Sequence, residues 1–86
     1  MDIDISEGQL RPVNIRDEVI LKKFGNRLRH LRTERKISQQ SLELKAGISK
    51  NQIGNIERGE VNVTLITLMA IATVLEISPK ELFDFN

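Results

Sequence analysis

Residues 47–59, GISKNQIGNIERG, decide how this chain is read. Between two glycines lie a lysine, two asparagines, a glutamine and a third glycine, Gly54. Inside a helix that glycine alone costs about 1 kcal/mol relative to alanine. Yet the stretch is punctuated as a helix. Ser49, followed three residues later by Gln52, has the form of a capping box, and Ile48 before the cap can staple onto Ile53. Gly59 stands where a left-handed C-terminal cap belongs. A helix is therefore expected from Lys50 to about Arg58. At helical spacing Ile53 and Ile56 share one side. Asn51, Asn55, Arg58 and Gly54 fall on the other, flanked by Lys50 and Gln52. Asparagine and glutamine can pair two-pronged with the N6/N7 edge of adenine, and lysine and arginine read guanine or hold phosphate. A glycine on that face would let the backbone lie close to a sugar-phosphate strand.

The residues before this stretch supply a partner element. Ser38 can cap a short helix from Gln39 to Ala46 whose buried residue is Leu42, and Gly47 supplies the positive-φ turn that ends it. A short helix, a glycine turn and a second helix with outward polar residues form a helix-turn-helix. In that motif the first helix crosses the DNA backbone and the second reads bases. Gln39, at the N-terminal end of the first, is placed to donate to a phosphate beside free backbone N–H groups.

Further out, residues 1–13 form no convincing element and are expected to be a flexible arm, although the alternation Asp2-Ile3-Asp4-Ile5 could pair as a strand with another chain. Asn14, with Asp17 and Glu18 in the next turn, marks a helix start. That first helix runs to about Lys36 with Ile20, Phe24, Leu28 and Leu31 inward. Thr64 caps a fourth helix with Leu65, Leu68, Met69, Ala72 and Leu75 on one face. Ser78-Pro79-Lys80-Glu81 is a capping box with proline at the first helical position, opening a fifth. With no repeat and no linker, residues 14–86 are expected to be one all-α domain, its helix-turn-helix at about 39–58.

Bulk properties narrow the function classes. The chain has 86 residues, no cysteine and a formal charge of +1. The absence of cysteine excludes disulfides and thiolate zinc sites and suits the cytoplasm. The acidic N-terminus has no signal-peptide plan, and the longest apolar run, 65–75, is too short for a bilayer. The charge is distributed unevenly. Residues 22–58 carry ten Lys/Arg against Glu34, Glu43 and Glu57, a local +7, while 1–21 and 59–86 are each −3. A basic block between acidic ends suits a polyanion partner; the alternative is a solvated charged face. His30 is a lone histidine and makes no metal site. No nucleophile–base spacing and no phosphate-binding glycine loop is present, so neither an enzyme nor a cofactor is expected.

Residues 24–83 resemble the lambda-repressor/Cro (Xre-type) helix-turn-helix family. The resemblance is carried by FGNRLRHLRTERKISQQSL (24–42), KAGISKNQIGNIERGE (45–60) and TLITLMAIATVLEISPKELF (64–83), with Gln39, Gly47, Ile53 and Ile56 at the family's spaced positions. It implies a five-helix fold, a homodimer on a pseudo-palindromic double-stranded operator, and a role in transcriptional regulation, as in bare restriction–modification controllers. Lys50, Asn51, Gln52 and Asn55 are expected to read bases. Gln39, Arg32, Arg58 and Ser49 are expected to hold phosphates, Arg32 also pairing with Glu57 as the family's bridge between first and third helices. Lys22, Lys23, Arg27, Arg35 and Lys36 stay open between phosphate and solvent. Spare apolar surface at Ile66, Ile71, Val74, Leu82, Phe83 and Phe85 is expected to join two chains. Glu43 stands where family members usually carry alanine, and residues 60–63 lack the basic residues of some relatives. The competing reading is an antitoxin or other protein-interaction module acting through the N-terminal arm on an unknown partner.

Overall fold

The computed structural model describes residues 17–86; the expected arm 1–13 and the Asn14 helix start lie outside the described residues. Four α-helices follow in order: α1 (Glu18–Glu34), α2 (Gln39–Ala46), α3 (Gln52–Glu57) and α4 (Leu65–Leu75). A 3-10 helix, Pro79–Phe83, takes the place of the fifth α-helix. The fold is all-helical, as expected.

Local chemistry starts and stops most of these elements. Asp17 caps α1, its Oδ1 accepting the N–H groups of Val19 at 2.9 Å and Ile20 at 3.1 Å. Ser38 caps α2 through the N–H of Ser41, and Thr64 caps α4 through that of Thr67. The Glu81 carboxylate reaches back to the Ser78 N–H at 3.1 Å at the start of the 3-10 helix. Gly47 (φ 68°) and Gly59 (φ 74°) take the left-handed conformation after α2 and α3. At Gly59 the N–H groups of Gly59 and Glu60 return to the carbonyls of Ile56 and Asn55, the paired bonds of a Schellman ending.

The core gathers Phe24, Leu28 and Leu31 of α1, Leu42 of α2, Ile53 and Ile56 of α3, Ile71, Ala72 and Leu75 of α4, and Leu82. Two expectations about its edges fail. Ile20, expected inward, is 53% exposed. On α4 the inward residues are Leu68, Ile71, Ala72 and Leu75, whereas Leu65 and Met69 face out. That helix is apolar nearly all round, so periodicity cannot set its rotation; its neighbours do.

Helix α3 packs against both α1 and α2, and α4 against α2 and the 3-10 helix. The approach of α1 to α3 is backbone to backbone. A Cβ on the buried Gly25 would stand 2.5 Å from the carbonyl oxygens of both Ile56 and Glu57. Only glycine admits that contact, and it fixes where the end of α3 meets α1.

Candidate nucleic-acid interface

Helix α3 is shorter than its sequence suggests. It begins at Gln52, and Lys50 and Asn51 lie in the turn before it. Asn51 takes the left-handed conformation (φ 70°, ψ −2°), which asparagine tolerates better than most residues. The Ser49 capping box does not form. The carbonyl of Ser49, not its hydroxyl, accepts the Gln52 N–H at 3.2 Å.

The cap comes instead from another helix. Glu43 of α2 is buried at 6% exposure, and its Oε2 accepts the N–H of Ile53 at 2.9 Å. A carboxylate is favoured beside the positive end of a helix and satisfies a donor the helix cannot. The acidic residue at the usual alanine position therefore ties α2 to the start of α3. It neither tilts outward nor loosens the contact.

A second buried network fixes the other end of α3. Arg32 Nε donates to Glu57 Oε2 at 2.6 Å and Arg32 Nη2 to Glu57 Oε1 at 2.9 Å, a two-pronged pair of α1 with α3. Arg32 Nη1 donates to the Ile37 carbonyl at 2.8 Å, and Gln39 Nε2 to Glu57 Oε1 at 3.0 Å. The hydrogen bond to Glu57 raises the Arg32 pKa above the usual arginine value, against the opposing effect of burial. The expected ion pair is present. Three of the five guanidinium N–H donors of Arg32 are used inside the protein, and its side chain is only 10% exposed, so its placement is that of the bridge between α1 and α3. Gln39 remains on the surface at the first turn of α2, held in place by Glu57.

Gly54 also has an internal explanation. It is buried, and a Cβ there would meet Arg58 Nη1 at 3.1 Å and Gln39 Oε1 at 3.4 Å. The glycine makes room for side chains of the protein itself.

The side of the motif left open carries Lys50 and Asn51 exposed, with Gln52 and Asn55 half-buried. Arg58 is exposed next to them. Its Nε donates to Glu60 Oε2 at 2.9 Å, and its Nη2 to Glu60 Oε1 at 3.4 Å and to Asn55 Oδ1. Through the same hydrogen bonds Arg58 holds the Glu60 carboxyl below its usual range. Glu60 was missed in the sequence because its only signal is an acid two residues from Arg58 across a glycine.

The remaining cations divide. Arg27 Nε donates to the Glu81 carbonyl at 2.9 Å, and Arg35 Nε to the Leu75 carbonyl at 3.1 Å, so both pin α1 to the C-terminal half. Lys22, Lys23, Arg29, Lys36 and Lys45 are exposed. Among the expected dimer residues, Ile71 and Leu82 are each 0% exposed and belong to the core of one chain. Val74 and Phe85 are half-buried against that core. Ile66 and Phe83 are exposed, together with Leu65 and Met69. Phe83 also packs against Phe24, the rings tilted by 37° with centres 5.7 Å apart. Among the described residues no three His, Asp or Glu side chains gather as a metal site, and no helix is long and apolar enough to cross a membrane.

Comparison with known proteins agrees with this geometry. The helix-turn-helix family pattern matches residues 28–82. The control protein C.BamHI of Bacillus amyloliquefaciens is 35% identical over 64 residues, 73% of this chain and 79% of its own length. The immunity repressor protein of Bacillus phage phi105 is 42% identical over 53 residues, 62% of this chain and 37% of the repressor. The crystal structure of the restriction-modification controller protein C.AhdI from Aeromonas hydrophila superposes with a TM-score of 0.72 at 46% identity, covering 73% of this chain and 96% of C.AhdI. The match spans most of the chain and includes both helices of the motif and the elements that hold them, and the chain belongs to the Xre-type helix-turn-helix family.

Proposed function

We propose that this protein is a sequence-specific DNA-binding transcriptional regulator that works as a homodimer, with the Asn51–Asn55 edge of α3 set in the major groove. The observation that carries the reading is the division of labour around α3. Its inner and end contacts are fixed by Glu43, Glu57 and Gly25, while its outer side presents Lys50, Asn51, Gln52 and Asn55. A rigidly held helix with amides outward suits base readout, because two-pronged hydrogen bonds need fixed geometry. Relatives described as a control protein, an immunity repressor and a restriction–modification controller support the regulatory role.

Gln39 and the N–H groups of the first turn of α2, together with exposed lysines, would hold backbone phosphates. The dimer would form on Ile66, Leu65 and Met69 of α4 with Phe83, apolar side chains left exposed on one chain. Selection from random duplexes tests the whole reading. The expected result is a pseudo-palindrome whose half-sites lie one duplex turn, roughly 34 Å, apart. Enrichment of no site, or tight binding to isolated half-sites by a sedimenting monomer, overturns it.

A further inference from the structure

The three side chains Glu60, Arg58 and Asn55 form a chain of hydrogen bonds along the open side of α3. Glu60 takes Arg58 Nε at 2.9 Å, and Arg58 Nη2 donates to Asn55 Oδ1. Guanidinium nitrogens only donate, so the Asn55 amide has one chemically sensible orientation here. Its oxygen faces Arg58, and its NH2 is the end left to meet a ligand. From this relay we infer that Glu60 is a positioning residue that sets base preference: through Arg58 it turns the Asn55 oxygen to the arginine and presents the NH2, an end matched to guanine rather than adenine.

The inference rests on α3 lying in the major groove, and it narrows the adenine pairing expected from the residue type alone. Adenine pairing uses the asparagine oxygen to accept from N6 and the amide nitrogen to donate to N7. With the oxygen turned to Arg58 and one of its two lone pairs taken, the NH2 presented to the groove would meet adenine N6–H2 donor against donor. Guanine presents N7 and O6, both acceptors, on the same edge. Glu60 matters because an exposed arginine without a partner is free to swing to a phosphate. A carboxylate held on Nε and Nη2 fixes the guanidinium plane that contacts Asn55.

The experiment is site selection from random duplexes with the full chain and four variants: Glu60→Ala, Glu60→Gln, Arg58→Ala and Asn55→Ala. These side chains are exposed or half-exposed, and circular dichroism melting checks that each variant folds. The unsubstituted protein should prefer guanine over adenine about tenfold at one base pair of each half-site, and Asn55→Ala should abolish preference at that pair. Glu60→Ala and Arg58→Ala should reduce the guanine-to-adenine ratio there to about threefold or less while preferences elsewhere in the half-site persist. Glu60→Gln, whose amide oxygen can still accept from Arg58 Nε, should retain most of it. If Asn55→Ala erases a preference that Glu60→Ala leaves untouched, or if the preferred base at that pair is adenine, the relay is wrong. If no variant and no parent protein selects any site, the DNA-reading function itself fails instead.

Discussion

The Glu43 carboxylate accepts the backbone N–H of Ile53 at 2.9 Å, so α3 begins on a side chain from the helix before it. Because the bond crosses the turn, it fixes the angle between α2 and α3 as well as satisfying a buried donor. Replacing Glu43 by alanine should cost about 1–3 kcal/mol, the penalty for leaving that N–H unpaired, despite the higher helix propensity of alanine. Urea unfolding of parent and variant measures it; an equal or higher midpoint for Glu43→Ala would show the bond contributes nothing.

Breaking the Arg32–Glu57 pair should be more damaging. Glu57→Ala strands a buried guanidinium and also removes the partner of Gln39, and about 3–5 kcal/mol is expected, mostly from the uncompensated charge. The raised pKa of Arg32 keeps the pair's contribution fully present below the unfolded arginine value and lost only as pH rises through the folded one. The pair should therefore add no pH dependence to stability through the neutral range, which thermal melts from pH 6 to pH 9 would check.

Gly25→Ala introduces one methyl at 2.5 Å from two backbone oxygens that cannot rotate away. Helix propensity would favour alanine by about 1 kcal/mol, but the clash must push α1 off α3 and should leave a net loss of about 2 kcal/mol or more. Calorimetric melting with no loss of stability in this variant would mean that the two helices do not approach so closely.

Salt dependence should separate the cations by position. Lys23→Ala is expected to reduce the slope of log affinity against log salt by about 0.9 for each phosphate it neutralises. Arg27→Ala and Arg35→Ala, whose guanidinium groups sit on the Glu81 and Leu75 carbonyls, should lower stability and leave that slope unchanged. Fluorescence anisotropy titrations across a salt series distinguish the two groups, and a flattened slope in Arg27→Ala would reassign it to the DNA-facing side.

Asn51 combines a backbone role with a proposed reading role, and one substitution separates them. Glycine takes the left-handed conformation (φ 70°) without cost, so Asn51→Gly should fold with undiminished stability. Its base preference should be relaxed at one position by on the order of 1–3 kcal/mol. Unchanged site selection by Asn51→Gly would leave asparagine there for its backbone conformation alone.

Five capping residues, Ser38, Gly47, Gly59, Thr64 and Ser78, were legible in the sequence because each cap is a contact within a few residues of chain. So was the pairing of Arg32 with Glu57, through the family resemblance, and so was the outward set of amides. The start of α3 was not legible. The Ser49–Gln52 pattern is a valid local cap, but it lost to a buried carboxylate ten residues away that only the fold brings to Ile53. The rotation of α4 escaped for a different reason: a helix apolar on nearly every side carries no phase, so its neighbours chose Ile71 over Met69. The +7 block illustrates the same division. Sequence alone determined that this region carries the positive charge of the chain and the two helices of the motif. Tertiary structure alone decided that Arg27 and Arg35 spend hydrogen bonds on the Glu81 and Leu75 carbonyls, because a guanidinium's role depends on which acceptors lie within about 3 Å of it.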